Sequence, residues 1–292
     1  YKRQILDTSG LEEFVCRLIP WRGIRQNLRS GIFKGLAVTA THVGTGHTVI
    51  FLDTKKPIPE WSRNPFIRAV ATAIGPRHAL ASAAIPVLFP AVKVKRAFYV
   101  DGGLRNNTPM SPAIRLGADK LLVVSLRHKA SQSEEQARAK QHEADYPKPL
   151  FLLAKALNSL MLDPTGYDLE RMQRINLILE AGEKAYGAGF ADVLAAHETS
   201  GAPLRQLQAV HIQPSEDIGA MAWRLIDRGG PKLSSRMARR MLSRLAAREA
   251  RGEADMISYL LFDGDFCGDL IELGFRDAEA QEDELLEVFS QP

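Results

Sequence analysis

Only two cysteines, Cys16 and Cys267, occur in 292 residues, and no C-x-x-C spacing joins them. That argues against a disulfide framework and a thiolate metal site, and fits a reducing compartment. Long apolar runs are also missing: none approaches about 18 residues, so no membrane-spanning helix is expected. The basic, apolar, then small-residue order of a secretory signal is not found either. Neither sign of charge dominates, since 38 Lys and Arg against 34 Asp and Glu leave a formal +4. So slight an excess does not point to nucleic acid. Internal repeats and low-complexity tracts are lacking. What remains is 45% hydrophobic and 25% charged, an ordinary globular composition for one large domain or two smaller ones. The expected location is the cytoplasm or the periphery of a membrane. The chain opens on Tyr1, and YKRQILDTS does not read as a natural start. It is therefore read as a fragment, a processed form or an incomplete gene.

Apolar Leu11, Phe14, Val15, Leu18 and Ile19 are spaced for a short amphipathic helix, capped by Thr8 or Ser9 and ended at Ile19-Pro20-Trp21. GLAVTAT (Gly35 to Thr41) and TVIFLD (Thr48 to Asp53) flank a glycine-containing loop and read as a β-hairpin. Phe66 to Ala84 is rich in alanine and reads as helix, broken at Gly75-Pro76. Pro86 and Pro90 then hold an extended path into Ala97-Phe98-Tyr99-Val100, a strand ending at Asp101-Gly102-Gly103. A helix from Thr108-Pro109 to Leu116 and the run LLVVSL (Leu121 to Leu126) follow. The run reads as a strand buried on both faces, so Phe98 to Leu126 is expected to form a parallel crossover unit. Beyond a polar stretch, Leu150 to Leu162, Tyr167 to Tyr186, Met221 to Arg228, Ser234 to Arg251, Ala254 to Phe262 and Phe266 to Phe275 read as helices. Leu207 to Ile212 reads as a strand, and Asp277 to Glu287 as an acidic tail.

Asp101 is the residue of chemical interest. An acid at the C-terminal edge of a strand, beside two glycines without side chains, is open to a substrate. From there it can act as general base to a nearby hydroxyl. By itself, Asp-Gly-Gly is also a common turn, because glycine tolerates positive φ and aspartate bonds its own backbone. The flanks add to the case. ASAAIP with a following FP, the YVDGG turn, Asn107-Thr108-Pro109 ahead of an apolar helix, and Leu116-Gly117-Ala118-Asp119 leading into LLVVS together resemble the patatin-like phospholipase family. Thr39-Ala40-Thr41 in the hairpin fits the same pattern, and SYLLFDGDFCGDLIELGFRDA resembles the tail of bacterial members. The resemblance implies an α/β fold, a three-layer α/β/α domain followed by a mainly helical C-terminal region. It also implies acyl-ester hydrolysis by a serine–aspartate dyad, with Asp101 as the general base and Gly102 and Gly103 shaping its turn. Phospholipid or another acyl-ester lipid would be the partner, and no metal or organic cofactor is required.

One departure from the family is plain. Its glycine-rich oxyanion loop and G-x-S-x-G nucleophile elbow, which precede the hairpin region, do not occur in these residues. The strained elbow needs small residues two positions either side of its serine. Ser9 has Asp7 and Leu11, Ser82 has Leu80 and Ala84, Ser125 has Val123 and Arg127, and Ser200 has Glu198 and Ala202. None fits. The expectation is a patatin-like sheet with its N-terminal strands missing, a raw sheet edge, exposed apolar surface and no activity in this chain alone. The expected divisions are 1–128 for the catalytic part, 129–149 for a linker and 150–292 for the helical region. Two other readings stand beside it: a lipid-binding or regulatory protein that has lost its nucleophile, and a partner to a separately encoded N-terminal half.

Other constellations are read structurally. His42, His47, His78, His128, His142, His197 and His211 are scattered, and the family dyad uses no histidine. His42 and His47 have no third metal ligand in view. Asp263-Gly264-Asp265 and Asp269 fail the spacing of a calcium loop. Asp265 is expected to cap a helix instead. Arg236, Arg240, Arg244 and Arg248 recur every four residues beside Met237, Met241, Leu242 and Leu245. That face is read as arginines in water over an apolar stripe, with docking on an anionic membrane surface as the competing reading.

Overall fold

The structure is a computed structural model. It describes residues 8–55, 57, 65–86, 88–106, 110–128, 165–197, 204–228 and 261–290, with scattered positions between 130 and 140 and at 258–259. The chain divides into two compact units, Tyr1–Leu121 with Asp163–Gln208, and Leu122–Leu162 with Ala209–Pro292. It is a mixed α/β protein whose central sheet is flanked by helices.

The first unit opens with helices α1 (Ser9–Leu18) and α2 (Trp21–Ser30). Thr8 precedes α1 but makes no capping bond to its backbone; its hydroxyl reaches the Glu12 side chain at 3.4 Å. Pro20 separates the helices, and the Trp21 indole N–H donates to the Val15 carbonyl at 2.9 Å, fixing the corner. The hairpin follows as β1 (Gly35–His42) and β2 (Thr48–Thr54), antiparallel from Gly35↔Thr54 to Thr41↔Thr48.

The next stretch corrects the sequence reading. Residues 67–71 are not helix but strand β3 (Ile67–Ala71), parallel to β2 from Thr48↔Ile67 to Leu52↔Ala71. Alanine's helix preference is under about 1 kcal/mol per residue, and it loses here to a ladder along the outer side of β2. Only the second half is helical, as α3 (Pro76–Ser82) with Pro76 at its first position. Strands β4 (Val92–Val94) and β5 (Ala97–Asp101) complete a five-stranded sheet in the order β3-β2-β1-β5-β4.

Both faces of the sheet are covered at its centre, since Val49 to Leu52 on β2 are all buried. Val49 and Phe51 join Ala40, Ile74, Ala81 and Val94 in a core beneath α3, with Val92 and Tyr99 packed beside them. The alternation of the pleat sends Ile50 and Leu52 to the opposite face. Helices α4 (Gly103–Asn106) and α5 (Met110–Arg115) follow β5, and α4 packs against β1. Later in this unit, α6 (Thr165–Tyr186) packs on α7 (Phe190–His197).

Strand β6 (Lys120–Val124) does not join β5, as a crossover unit would require. It pairs with β7 (Gln208–Ile212) in a separate two-stranded sheet. Nor is it buried on both faces: Leu121 and Val123 are inside, while Leu122, Val124 and Leu126 are exposed. With one neighbouring strand and one packed side, the run alternates despite being continuously apolar. The second unit is otherwise helical where described, with α8 (Ile218–Asp227), α9 (Gly264–Glu279) and α10 (Glu282–Phe289). Met221 and Ala222 of α8 pack on Phe266 and Leu273 of α9. Most of the acidic tail is therefore helix α10, with Glu282, Asp283 and Glu284 in its first turn, where the helix dipole favours negative charge.

Candidate active site

Asp101 is the last residue of β5 and pairs with Ala40 across the antiparallel ladder between β1 and β5. Paired residues share a sheet face. The Asp101 side chain thus belongs to the face that carries Ala40, Tyr99 and Phe51 under α3. Its backbone is tied down on two further sides. The Asp101 N–H donates to the Ala84 carbonyl at 2.9 Å, just past the end of α3. The Thr41 hydroxyl, itself buried, donates to the Asp101 carbonyl at 3.0 Å.

The carboxyl is 8% exposed. Its Oδ1 accepts the Gly103 N–H at 2.6 Å, so the side chain bonds the turn that follows it. That bond stabilises the ionised form, but burial outweighs it and pushes the Asp101 pKa from 3.8 up to about 6. Burial is the largest cause of the rise. A carboxyl with these properties is largely ionised at neutral pH, yet close enough to its pKa to take up a proton.

Gly102 is required, though not for the conformational reason expected of a turn glycine. Its φ is not positive. Instead, a Cβ at Gly102 would lie 2.3 Å from the Thr39 carbonyl oxygen and 2.6 Å from its carbon. Only glycine lets the turn after Asp101 seat this closely on the backbone of β1. Gly103 then begins α4 and supplies its N–H to Asp101.

Four aromatic rings run along the same face. His78 meets Phe51 at 4.8 Å, Phe51 meets Tyr99 at 5.2 Å, and Tyr99 meets His42 at 5.3 Å, all edge to face. His78 is buried, and its Nδ1 accepts the Gly75 N–H at 3.1 Å. Burial holds its pKa below the usual histidine value. His42 Nδ1 is taken up by the backbone N–H and hydroxyl of Thr45, which closes the hairpin loop. The His47 ring turns toward Phe66. Among the described residues, no group of three or more His, Cys, Asp or Glu is placed to hold a metal ion.

Residues 6–114 match the family model of patatin-like phospholipases, and the matched segment spans β1 to β5 and the Asp101 turn. This segment is similar to the patatin-like phospholipase family. No curated protein matches the chain. The family is one of hydrolases acting on lipid substrates, and the patatin-like segment of this chain has the mixed sheet-and-helix architecture that goes with it. Among the described residues, no helix is long and apolar enough to cross a membrane.

The other candidates fall elsewhere. Ser82 is the last residue of α3 and half-buried, and Ser9 is the first residue of α1. Ser125, just past β6, is buried, and its hydroxyl lies 2.9 Å from Nε2 of His211 on β7. That pairing had no sequence signal, because the residues are 86 apart. Asp265 is not the cap of α9. Asp263 is, accepting the N–H groups of Asp265 and Phe266 at 3.0 and 3.3 Å. Ser200, His142, Leu150 to Leu162 and the arginine face at Arg236, Arg240, Arg244 and Arg248 lie outside the described residues.

Proposed function

We propose that this chain carries the base half of a serine–aspartate lipid acyl hydrolase, with Asp101 as the base. The observation that carries the reading is a buried carboxyl with its pKa pushed up to about 6, at the end of a strand inside a patatin-like segment. In the first step a serine oxygen attacks the acyl carbonyl, its proton passes to Asp101, and Asp101 hands that proton to the ester's departing alcohol oxygen, leaving an acyl–serine ester and an ionised Asp101. In the second, Asp101 draws a proton from water as the water oxygen attacks the acyl carbonyl, and returns it to the serine oxygen as the carbonyl carbon–serine bond breaks and the fatty acid is released. The serine comes from sequence outside these 292 residues, since no G-x-S-x-G occurs within them. The chain by itself is then without ester hydrolysis, because losing a nucleophile costs orders of magnitude in rate. The same reading gives the arginines at 236, 240, 244 and 248 a part in peripheral attachment to anionic lipid. Replacing all four by glutamine should weaken vesicle binding at low salt, and unchanged binding would leave them a solvated face.

The missing elbow is also the observation that favours a second reading, a lipid-binding or regulatory protein without turnover. The experiment that separates the two expresses the complete coding sequence and assays p-nitrophenyl ester hydrolysis, with and without Asp101→Asn. The hydrolase reading expects turnover that falls by about 10²- to 10⁴-fold in the variant. Binding to lipid vesicles with no turnover would support the second reading.

A further inference from the structure

We propose that Thr41 is a positioning residue for Asp101, its hydroxyl holding the end of β5 so that the carboxyl stays out of water. The inference rests on Asp101 being the base. Asp101 is the last ladder partner on β5, after which the chain turns into α4. Its backbone therefore stands where sheet hydrogen bonding gives out. Two groups distant in sequence hold it: the Ala84 carbonyl takes its N–H at 2.9 Å, and the Thr41 hydroxyl serves its carbonyl at 3.0 Å.

Thr41 is 7% exposed, so this bond is out of reach of competing water. Such bonds do not follow automatically from a threonine on β1. The hydroxyl of Thr39, on the same strand and the same side, is buried with no hydrogen-bond partner. With Gly102 seated on the Thr39 backbone, the turn has little room to adjust. Taking away the Thr41 hydroxyl leaves the Asp101 carbonyl buried and without its donor, a state that is relieved when the strand end shifts toward water. The carboxyl moves with that strand end, and its burial is the largest cause of its raised pKa.

The test labels the chain with ¹³C-aspartate and follows the Asp101 carboxyl by NMR across pH in wild type, Thr41→Val and Thr41→Ser. Valine keeps the shape and removes the donor; serine keeps the donor. The valine variant should titrate about one unit lower, a tenfold loss of proton affinity, while serine stays at the wild-type midpoint. A valine variant that titrates with wild type, its β1–β5 amides unmoved, overturns the proposal, as does a serine variant that behaves like valine. If the valine variant does not fold, the Thr41 hydroxyl proton of the unmodified protein decides: slow exchange supports the bond and rapid exchange overturns it. A wild-type midpoint near 3.8 would instead sink the reading of Asp101 as base. An unmoved valine midpoint near the wild-type value removes Thr41 alone.

Discussion

Replacing Asp101 by asparagine should make the protein more stable at alkaline pH, a gain that an exposed or ion-paired acid would not give. Burial raises the carboxyl from 3.8 to about 6, so the folded chain binds this proton more tightly than the unfolded chain does. The stabilising contribution of the carboxyl is therefore full below pH 3.8 and drains away as pH rises through about 6. The difference is a little over two units, which at about 1.4 kcal/mol each comes to about 3 kcal/mol. Asparagine retains an oxygen to accept the Gly103 N–H and carries no charge to bury. The variant should exceed wild type by up to about 3 kcal/mol at pH 8, with the gain fading below pH 4. Urea titrations at the two pH values, followed by pulsed hydrogen exchange of peptides covering β1 and β5, read the sheet itself. Titrations common to both proteins cancel in the difference. An asparagine variant no more stable at pH 8, or equally favoured at both pH values, would refute the argument that this charge is held at a cost.

Two other perturbations test the surroundings of Asp101. Gly102→Ala drives a methyl into the Thr39 carbonyl at 2.3 Å, which backbone cannot yield cheaply; a loss of about 1–3 kcal/mol is expected, and a neutral urea midpoint would mean that the turn is not seated as described. His78 is buried with its pKa lowered, so the unfolded chain takes up its proton first on acidification. Its contribution is complete above pH 6.5 and is lost as pH falls toward the lowered folded value; His78→Phe should flatten that part of the stability profile, and an unchanged slope would contradict the burial of a neutral ring.

The legible parts of this fold were those written locally. The β1–β2 hairpin showed in two β-branched runs across a glycine loop, and the acid at the end of β5 showed in an apolar run halted by two glycines. Strand β3 was hidden because alanine-rich sequence carries a helical preference, whereas its pairing with β2 is a tertiary fact. In β6, continuous apolar residues suggested two covered faces, but exposure follows the number of neighbours, which the run does not record. The glycine at 102 was visible and its reason was not: the close contact is with a strand some 60 residues earlier in the chain. The same holds for Thr41, whose bond to Asp101 spans a separation of 60 residues. The cap of α9 was hidden for another reason, since Asp263 and Asp265 both suit a helix start and only backbone geometry chooses between them.

The central claim is that Asp101 is a proton acceptor in ester hydrolysis. It is tested most directly by the pH dependence of kcat/KM for the protein expressed from its complete coding sequence, beside the Asp101→Asn variant. The account predicts an acid limb in which activity rises through about pH 6, following ionisation of the Asp101 carboxyl, and a variant in which both the limb and most of the rate are gone. An asparagine variant that hydrolyses ester at the wild-type rate, with the same acid limb, would contradict it.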